Sequence, residues 1–226
     1  MKYIKPITAV VCVAALVVSL RLITAQPDER KGTWQKPDLV ELVKLDSTIK
    51  LDIRYATSNN FMKRRMYPQA AAFLQRPAAD ALVRAHRILA RSGYGIVVFD
   101  GYRPWSVTLD FWKKTPRSKR KFVANPRTGS RHNRGCALDC SLYDLTTGKE
   151  VEMPSPFDDF TVRAAARYAG GTAAQRSARR TLRLALESQG FTVNPVEWWH
   201  FDYKDWNDYQ VMDVPFDKIP QQPDSL

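Results

Sequence analysis

The sequence predicts a single α+β domain, an antiparallel sheet with flanking helices. Three observations carry that prediction. Short segments with two-residue apolar alternation, residues 49–55 and 136–142, read as strands. Two longer segments place apolar residues at helical spacing between Pro or Gly boundaries. The 226-residue chain is 44% hydrophobic and 11% aromatic, which supports one sizeable core and excludes a disordered polymer.

The first 25 residues have the form of a targeting segment. Lys2 and Lys5 precede an apolar stretch, residues 7–20, and Ile23-Thr24-Ala25 offers a small-residue cleavage site. The stretch is short for a membrane span, so a cleaved signal is expected first and an anchor with N-terminal membrane association second. Either implies export to a periplasm or cell envelope. Cys12, within the stretch, lacks the small-residue context of a lipid-attachment site. Residues 26–37 read as a polar linker, 38–216 as the folded domain and 217–226 as a tail.

Within the domain, Ile49, Leu51, Ile53 and Tyr55 alternate with Lys50, Asp52 and Arg54, as in a half-buried strand. Residues 59–68 are basic and loop-like. Pro77 opens a helix whose stripe is Ala81, Leu82, Ala85, Ile88 and Leu89, and Gly93 ends it. His86 on that helix reads as partly exposed and without a functional role. Residues 95–99 form an apolar strand that runs into Asp100-Gly101-Tyr102-Arg103-Pro104. A charged pair at a strand end suits a functional site, although a surface turn with a local ion pair fits the spacing equally well. A short helix, 105–114, and a basic loop, 115–129, follow.

Cys136, Leu138, Cys140 and Leu142 share one face of the next strand, and Ala137, Asp139 and Ser141 the other. Asp139 can therefore face a cleft. The two cysteines would lie roughly 13 Å apart along a strand, too far for a disulfide, and read as buried thiols. Gly170-Gly171 precede a helix near 173–189. Its Leu182, Ala185 and Leu186 face the core, its arginines line a solvated face, and Gly190 caps it. Residues 191–196 lead into Glu197-Trp198-Trp199-His200, and the aromatic, acidic segment beyond is expected to pack over the site.

The formal charge is +12; without Lys2, Lys5 and Arg21, residues 26–226 carry 32 basic and 23 acidic side chains, a net +9. Such a balance admits nucleic acid, an anionic membrane or a polyanionic wall as partner. The basic residues are spread over 63–65, 117–121 and 176–183. They read as solvated surface, and no nucleic-acid partner is expected.

The chemistry centres on residues 130–139, Ser-Arg-His-Asn-Arg-Gly-Cys-Ala-Leu-Asp, in a chain with 3 histidines. His132 and Asp139 flank a glycine turn, and His200 closes the Glu-Trp-Trp-His run. Two imidazoles and a carboxylate suit a catalytic zinc, which takes three protein ligands and leaves the fourth position to water. Glu197 is then placed as general base, and the permanently charged Arg103 as the group that meets a developing oxyanion. A regular strand would send Glu197 and His200 to opposite faces, so the reading requires a turn or bulge within 196–201. Each pattern alone also fits a helix-cap carboxylate or a core histidine bonded to a backbone carbonyl.

Four motifs in order, Asp-Ile-Arg-Tyr-Ala-Thr (52–57), Asp-Gly-Tyr-Arg-Pro (100–104), Ser-x-His-x-Arg-Gly-x-Ala-x-Asp (130–139) and Glu-Trp-Trp-His (197–200), resemble the D-alanyl-D-alanine dipeptidases. These are zinc peptidases of the vancomycin-resistance type, peptidase family M15, related to D,D-carboxypeptidases and to the hedgehog-like fold. The resemblance covers about residues 38–216. It implies one zinc ion on His132, Asp139 and His200, Glu197 as base, and Arg103 beside the scissile carbonyl. It implies further that Asp158 holds the substrate ammonium, with Tyr55, Asp100 and Ser130 serving the substrate pocket. The implied reaction is hydrolysis of D-Ala-D-Ala in cell-wall metabolism, in a pocket too small for longer peptides. Arg131 departs from members that carry serine before the metal histidine, which leaves amino-end recognition open.

Two rival readings remain. A D,D-carboxypeptidase or endopeptidase on peptidoglycan stem peptides would share the metal site within a more open cleft. A basic envelope- or nucleic-acid-binding protein with a structural metal would need a fourth protein ligand, and the sequence offers none on the right face. Oligomeric state is left open.

Overall fold

Residues 34–220 are described in the structure, a computed structural model. The expected targeting segment with Cys12, most of the linker and the end of the tail lie outside the described residues. Among the described residues no helix is long and apolar enough to cross a membrane.

Two sheets form. Strand β1 (Leu39–Glu41) pairs antiparallel with β3 (Phe73–Gln75). The larger sheet takes β2 (Lys50–Leu51), β4 (Tyr94–Asp100), β5 (Ala137–Asp144), β7 (Glu197–Tyr203) and β6 (Phe191–Asn194), in that spatial order. Three of its four junctions are antiparallel, as expected. The fourth, β2 with β4, is parallel. Parallel neighbours need a long return connection, and here it runs through β3 and helix α2 (Arg76–Ala90), the one-turn α1 (Leu42–Leu45) lying before β2. Helices α3 (Trp105–Lys114) and α4 (Ala173–Glu187) complete the α+β domain.

One face of the sheet carries the core. Ile96, Val98, Leu138, Cys140 and Leu142 join Leu82 and Leu89 of α2 and Leu182 and Leu186 of α4 in a single buried cluster. Each fully buried side chain of this kind contributes about 1.5–3 kcal/mol. Cys136 and Cys140 are free and buried there. The opposite face holds a smaller cluster, Val97, Phe99 and Tyr143 with Phe157 against it, and it is the face from which Asp139 projects.

Two expectations are corrected. Residues 49–55 form a ladder only at Lys50–Leu51; after a last bond from Asp52 N to Val98 O at 2.9 Å the chain coils into a 3-10 turn, Arg54–Ala56. Ile49, Ile53 and Tyr55 are nevertheless buried, because two-residue alternation reports burial and not pairing. His86 is buried, not partly exposed. Its Nδ1 accepts from Ile96 N at 3.0 Å and its Nε2 meets Thr48 Oγ1 at 2.9 Å, so the ring pins α2 to β4. Burial pushes its pKa below the ordinary value, consistent with a neutral structural imidazole.

The segment after β7 closes the domain. Phe216 packs against Tyr67, Phe73 and Tyr102, and Val211 against Trp105 and Leu109. Ile219 is also buried.

Candidate active site

The loop from Asp100 to Pro104 and the turn at 130–135 are locked together before any ligand is considered. Ser130 Oγ accepts from His132 N at 3.2 Å, which starts the 3-10 turn His132–Arg134. Gly135 ends that turn at φ 69°, a conformation in which a Cβ would stand 2.5 Å from Leu39 Cδ2. The Asn133 amide donates to Arg103 O and to Thr108 Oγ1, both at 2.8 Å, and Arg103 N donates to His132 O at 3.1 Å.

Asp139 and His200 are directly opposite each other across β5 and β7, and the turn brings His132 over the same face. His200 Nδ1 lies 3.0 Å from Asp139 Oδ1 and 3.1 Å from His132 Nε2, and the third side of the triangle, His132 Nε2 to Asp139 Oδ1, is 3.4 Å. A tetrahedral ion with ligand bonds of about 2.0–2.1 Å separates its ligand atoms by roughly 3.3 Å.

The outward nitrogens decide the chemistry. His132 Nδ1 is 2.7 Å from the carbonyl of Gly101, so it carries the proton and leaves the lone pair on Nε2. His200 Nε2 is 3.0 Å from Asp202 Oδ1, which leaves its lone pair on Nδ1. In these neutral tautomers two lone pairs and a carboxylate converge on one point. That arrangement fits a cation, and the outer hydrogen bonds are of the kind that orient metal-bound histidines. The electrostatics show the same demand for positive charge, which a proton on His200 meets when no ion is bound. Burial works against the charge on Asp139, yet the imidazoles hold its carboxyl well below the usual range. His200 is raised despite burial, through Asp139 and Asp202.

The required bulge exists. On β6, Val193 faces Phe201 but its neighbour Asn194 faces Glu197, so residues 198–200 of β7 have no opposite number there. Glu197 Oε2 consequently comes within 4.0 Å of His200 Nδ1 and accepts from Asn194 Nδ2 at 2.9 Å. Burial pushes its carboxyl up to about 8.

Arg103 is buried, and Asp100 Oδ2 accepts from its Nε at 3.0 Å and its Nη2 at 2.7 Å. The guanidinium lies over Phe111 and Tyr55, 3.8 Å from Asp139 Oδ2. Asp158 takes up a left-handed φ of 60° and accepts from Tyr55 Oη at 3.2 Å. Burial, then the charge of Asp139, pushes its carboxyl up to about 7.

One cavity of about 360 Å³ is lined by His132, Asp139, His200, Glu197, Arg103, Asp158, Tyr55 and Ser130. Asp100 alone among the expected site residues is not in its wall. It is fully buried behind Arg103, where its other oxygen accepts from Tyr67 Oη at 2.8 Å, so it orients the arginine. Arg131 lines the cavity with its guanidinium over the Trp206 ring and 3.5 Å from Asp202. Sequence reasoning missed Asp202, Asn194 and the Gly101 carbonyl. Only Asp202 had a visible signal, since it stands two strand residues beyond His200 and so shares its face.

Comparison with known proteins is consistent across most of the chain. The sequence model of peptidase family M15, described as D-ala-D-ala dipeptidase, matches residues 35–219. The D-alanyl-D-alanine dipeptidase of Escherichia coli (strain K12) is 29% identical over 175 residues, covering 77% of this chain and 89% of that protein. The enzyme of the same name from Enterococcus faecium is 32% identical over 175 residues, 70% of this chain and 87% of its own. Among solved structures, the LdcB LD-carboxypeptidase shares 18% identity at a TM-score of 0.44 over 88% of this chain and 82% of that one. The D,D-dipeptidase VanXYg shares 19% at 0.39 over 75% and 67%. The motifs that interlock around the cavity lie inside the matched span, and the chain belongs to the D-Ala-D-Ala dipeptidase family of peptidase M15.

Proposed function

We propose that this chain hydrolyses D-Ala-D-Ala to two D-alanines in cell-wall metabolism, with zinc held by His132, Asp139 and His200. When bound, zinc supplies a Lewis acid for the scissile carbonyl and lowers the pKa of a water. Glu197, beside His200, takes the proton of the attacking water and delivers it to the leaving amine, with the positive charge of a bound ion favouring its ionised form. Arg103, aimed by Asp100, stabilises the negative charge that develops on the carbonyl oxygen. Asp158, with Tyr55 Oη on its carboxylate, receives the substrate ammonium, whose charge favours the ionised acid; Ser130 holds the turn at the cavity rim.

The observation that carries the proposal is the convergence of His132 Nε2, His200 Nδ1 and the Asp139 carboxylate, with the outer imidazole nitrogens held by Gly101 O and Asp202, in the cavity that also holds Glu197 and Arg103. Export is part of the same reading, supported by the form of residues 1–25. An exported enzyme would salvage D-alanine from wall turnover. The test is D-alanine release from D-Ala-D-Ala by the purified protein, with chelator and with zinc restored. Release that the chelator stops and zinc restores supports the proposal. A metal-loaded protein that leaves the dipeptide intact but trims a wall stem peptide would replace it with a D,D-carboxypeptidase.

A further inference from the structure

The arginines of residues 176–183, which read as a solvated helix face in the sequence, are gathered by the fold. Arg176, Arg179, Arg180 and Arg183 of α4, with Arg167 from the preceding loop, line one cavity of about 230 Å³. On the helix they stand at i, i+3, i+4 and i+7, where like charges oppose one another. The first turn of α4 has no acidic residue to balance them. The helix end is already closed by the Thr172 and Gln175 capping box, so the excess positive charge belongs to the side chains.

The group is anchored at Arg179 and Arg176, the latter donating to Gly171 O, while Arg167 and Arg180 are exposed. Arg179 is 9% exposed, and its guanidinium donates to Ala165 O at 3.3 Å and Tyr168 O at 2.8 Å. Those bonds hold the Arg167 loop against α4, and Ala166 N, donating to Pro195 O at 3.1 Å, ties the same loop to the turn between β6 and β7. The Arg183 Nε is buried without a hydrogen-bond partner among the described residues, and the carboxylate nearest to it, Glu187, is 3.7 Å away. No carboxylate among the described residues reaches ion-pair distance of the other four arginines. A concave cluster of guanidinium groups, anchored at two members and short of negative charge, is complementary to a tetrahedral oxyanion, which accepts forked donors from several directions.

We propose that this cavity binds a phosphate group. The ligand is either a free phosphate or soluble phosphate ester, or the headgroup of an anionic phospholipid; the shared chemistry is the phosphoryl oxygens. The site is separate from the metal cavity, and the inference does not depend on the catalytic reading.

The test titrates inorganic phosphate into the full chain by calorimetry, with ionic strength held constant by chloride, beside Arg180→Gln/Arg183→Gln and Arg183→Lys. Saturable binding is expected in the parent, at least tenfold weaker in both variants, with circular dichroism unchanged. A parallel arm compares vesicles of phosphatidylglycerol and phosphatidylcholine. A phosphatidylglycerol preference that the double variant abolishes assigns the headgroup; saturation by free phosphate without that preference assigns a soluble ligand. Neither response in the parent, or a double variant that behaves as the parent, would overturn the proposal. Full affinity in Arg183→Lys would overturn it too, since charge without the guanidinium fork would then suffice.

Discussion

Asp202 Oδ1 stands 3.0 Å from His200 Nε2, and this contact turns the other nitrogen of His200 toward Asp139 and His132. Replacing Asp202 with Ala should leave the ring free to rotate and change tautomer. Zinc affinity is expected to fall about 10–100-fold, read by competition with a chelating dye. Unchanged affinity would mean that packing alone orients the imidazole.

Glu197 and His200 approach the same point with different duties. Glu197→Gln should retain stoichiometric zinc while turnover falls by about 10²–10⁴, measured as D-alanine release. If the metal is lost as well, Glu197 is a ligand and its assignment as base fails.

His200→Ala should lose both metal and turnover, because two remaining protein ligands do not make a zinc site. Metal analysis after dialysis settles it, and a full equivalent of zinc retained would take His200 out of the ligand set.

Asp100 and Arg103 form a buried pair with two short contacts to one oxygen. Asp100→Ala strands the guanidinium, and loss of one partner from a buried pair costs about 3–5 kcal/mol. Urea unfolding measures it; a loss below about 1 kcal/mol would be the behaviour of a solvent-screened pair.

The metal-stripped protein should lose stability as pH rises. Burial raises Glu197 to about 8 and Asp158 to about 7, so the folded state holds protons that the unfolded chain releases at about 4. The stability they contribute is complete below the unfolded values and is lost as pH rises through about 7 and about 8. His200, raised by Asp139 and Asp202 against the effect of burial, acts in the same direction. Thermal midpoints should fall between about pH 5 and about pH 8, and Glu197→Gln should flatten the slope. Parallel slopes would show that Glu197 ionises in the fold as freely as in water.

The convergence of His132, Asp139 and His200 was legible because histidine is scarce and because alternation along β5 assigns Asp139 to the face away from Cys140. The need for a bulge near Glu197 was legible too, as a conflict between strand geometry and chemistry. Its position in the β6–β7 pairing was not, since register is a property of two segments. His86 was misjudged because its hydrogen-bond partners, Thr48 and Ile96, are supplied by other elements. Asp158 depended on a loop conformation, φ 60°, that no periodicity announces. The arginine cavity was hidden for a similar reason: α4 supplies four of its residues in plain view, and the loop that makes it concave is held by backbone carbonyls.

His132 and Asp139 are neighbours along the chain, whereas His200 arrives 61 residues after Asp139, on the final hairpin. During synthesis a chain extended as far as Gly190 would own two of the proposed ligands and lack the proposed base. The pairing of β7 beside β5 brings the last histidine and Glu197 to the site together. On the proposed assignment, a product cut short before that hairpin would be silent, not feebly active, and metal uptake would report that the sheet has closed.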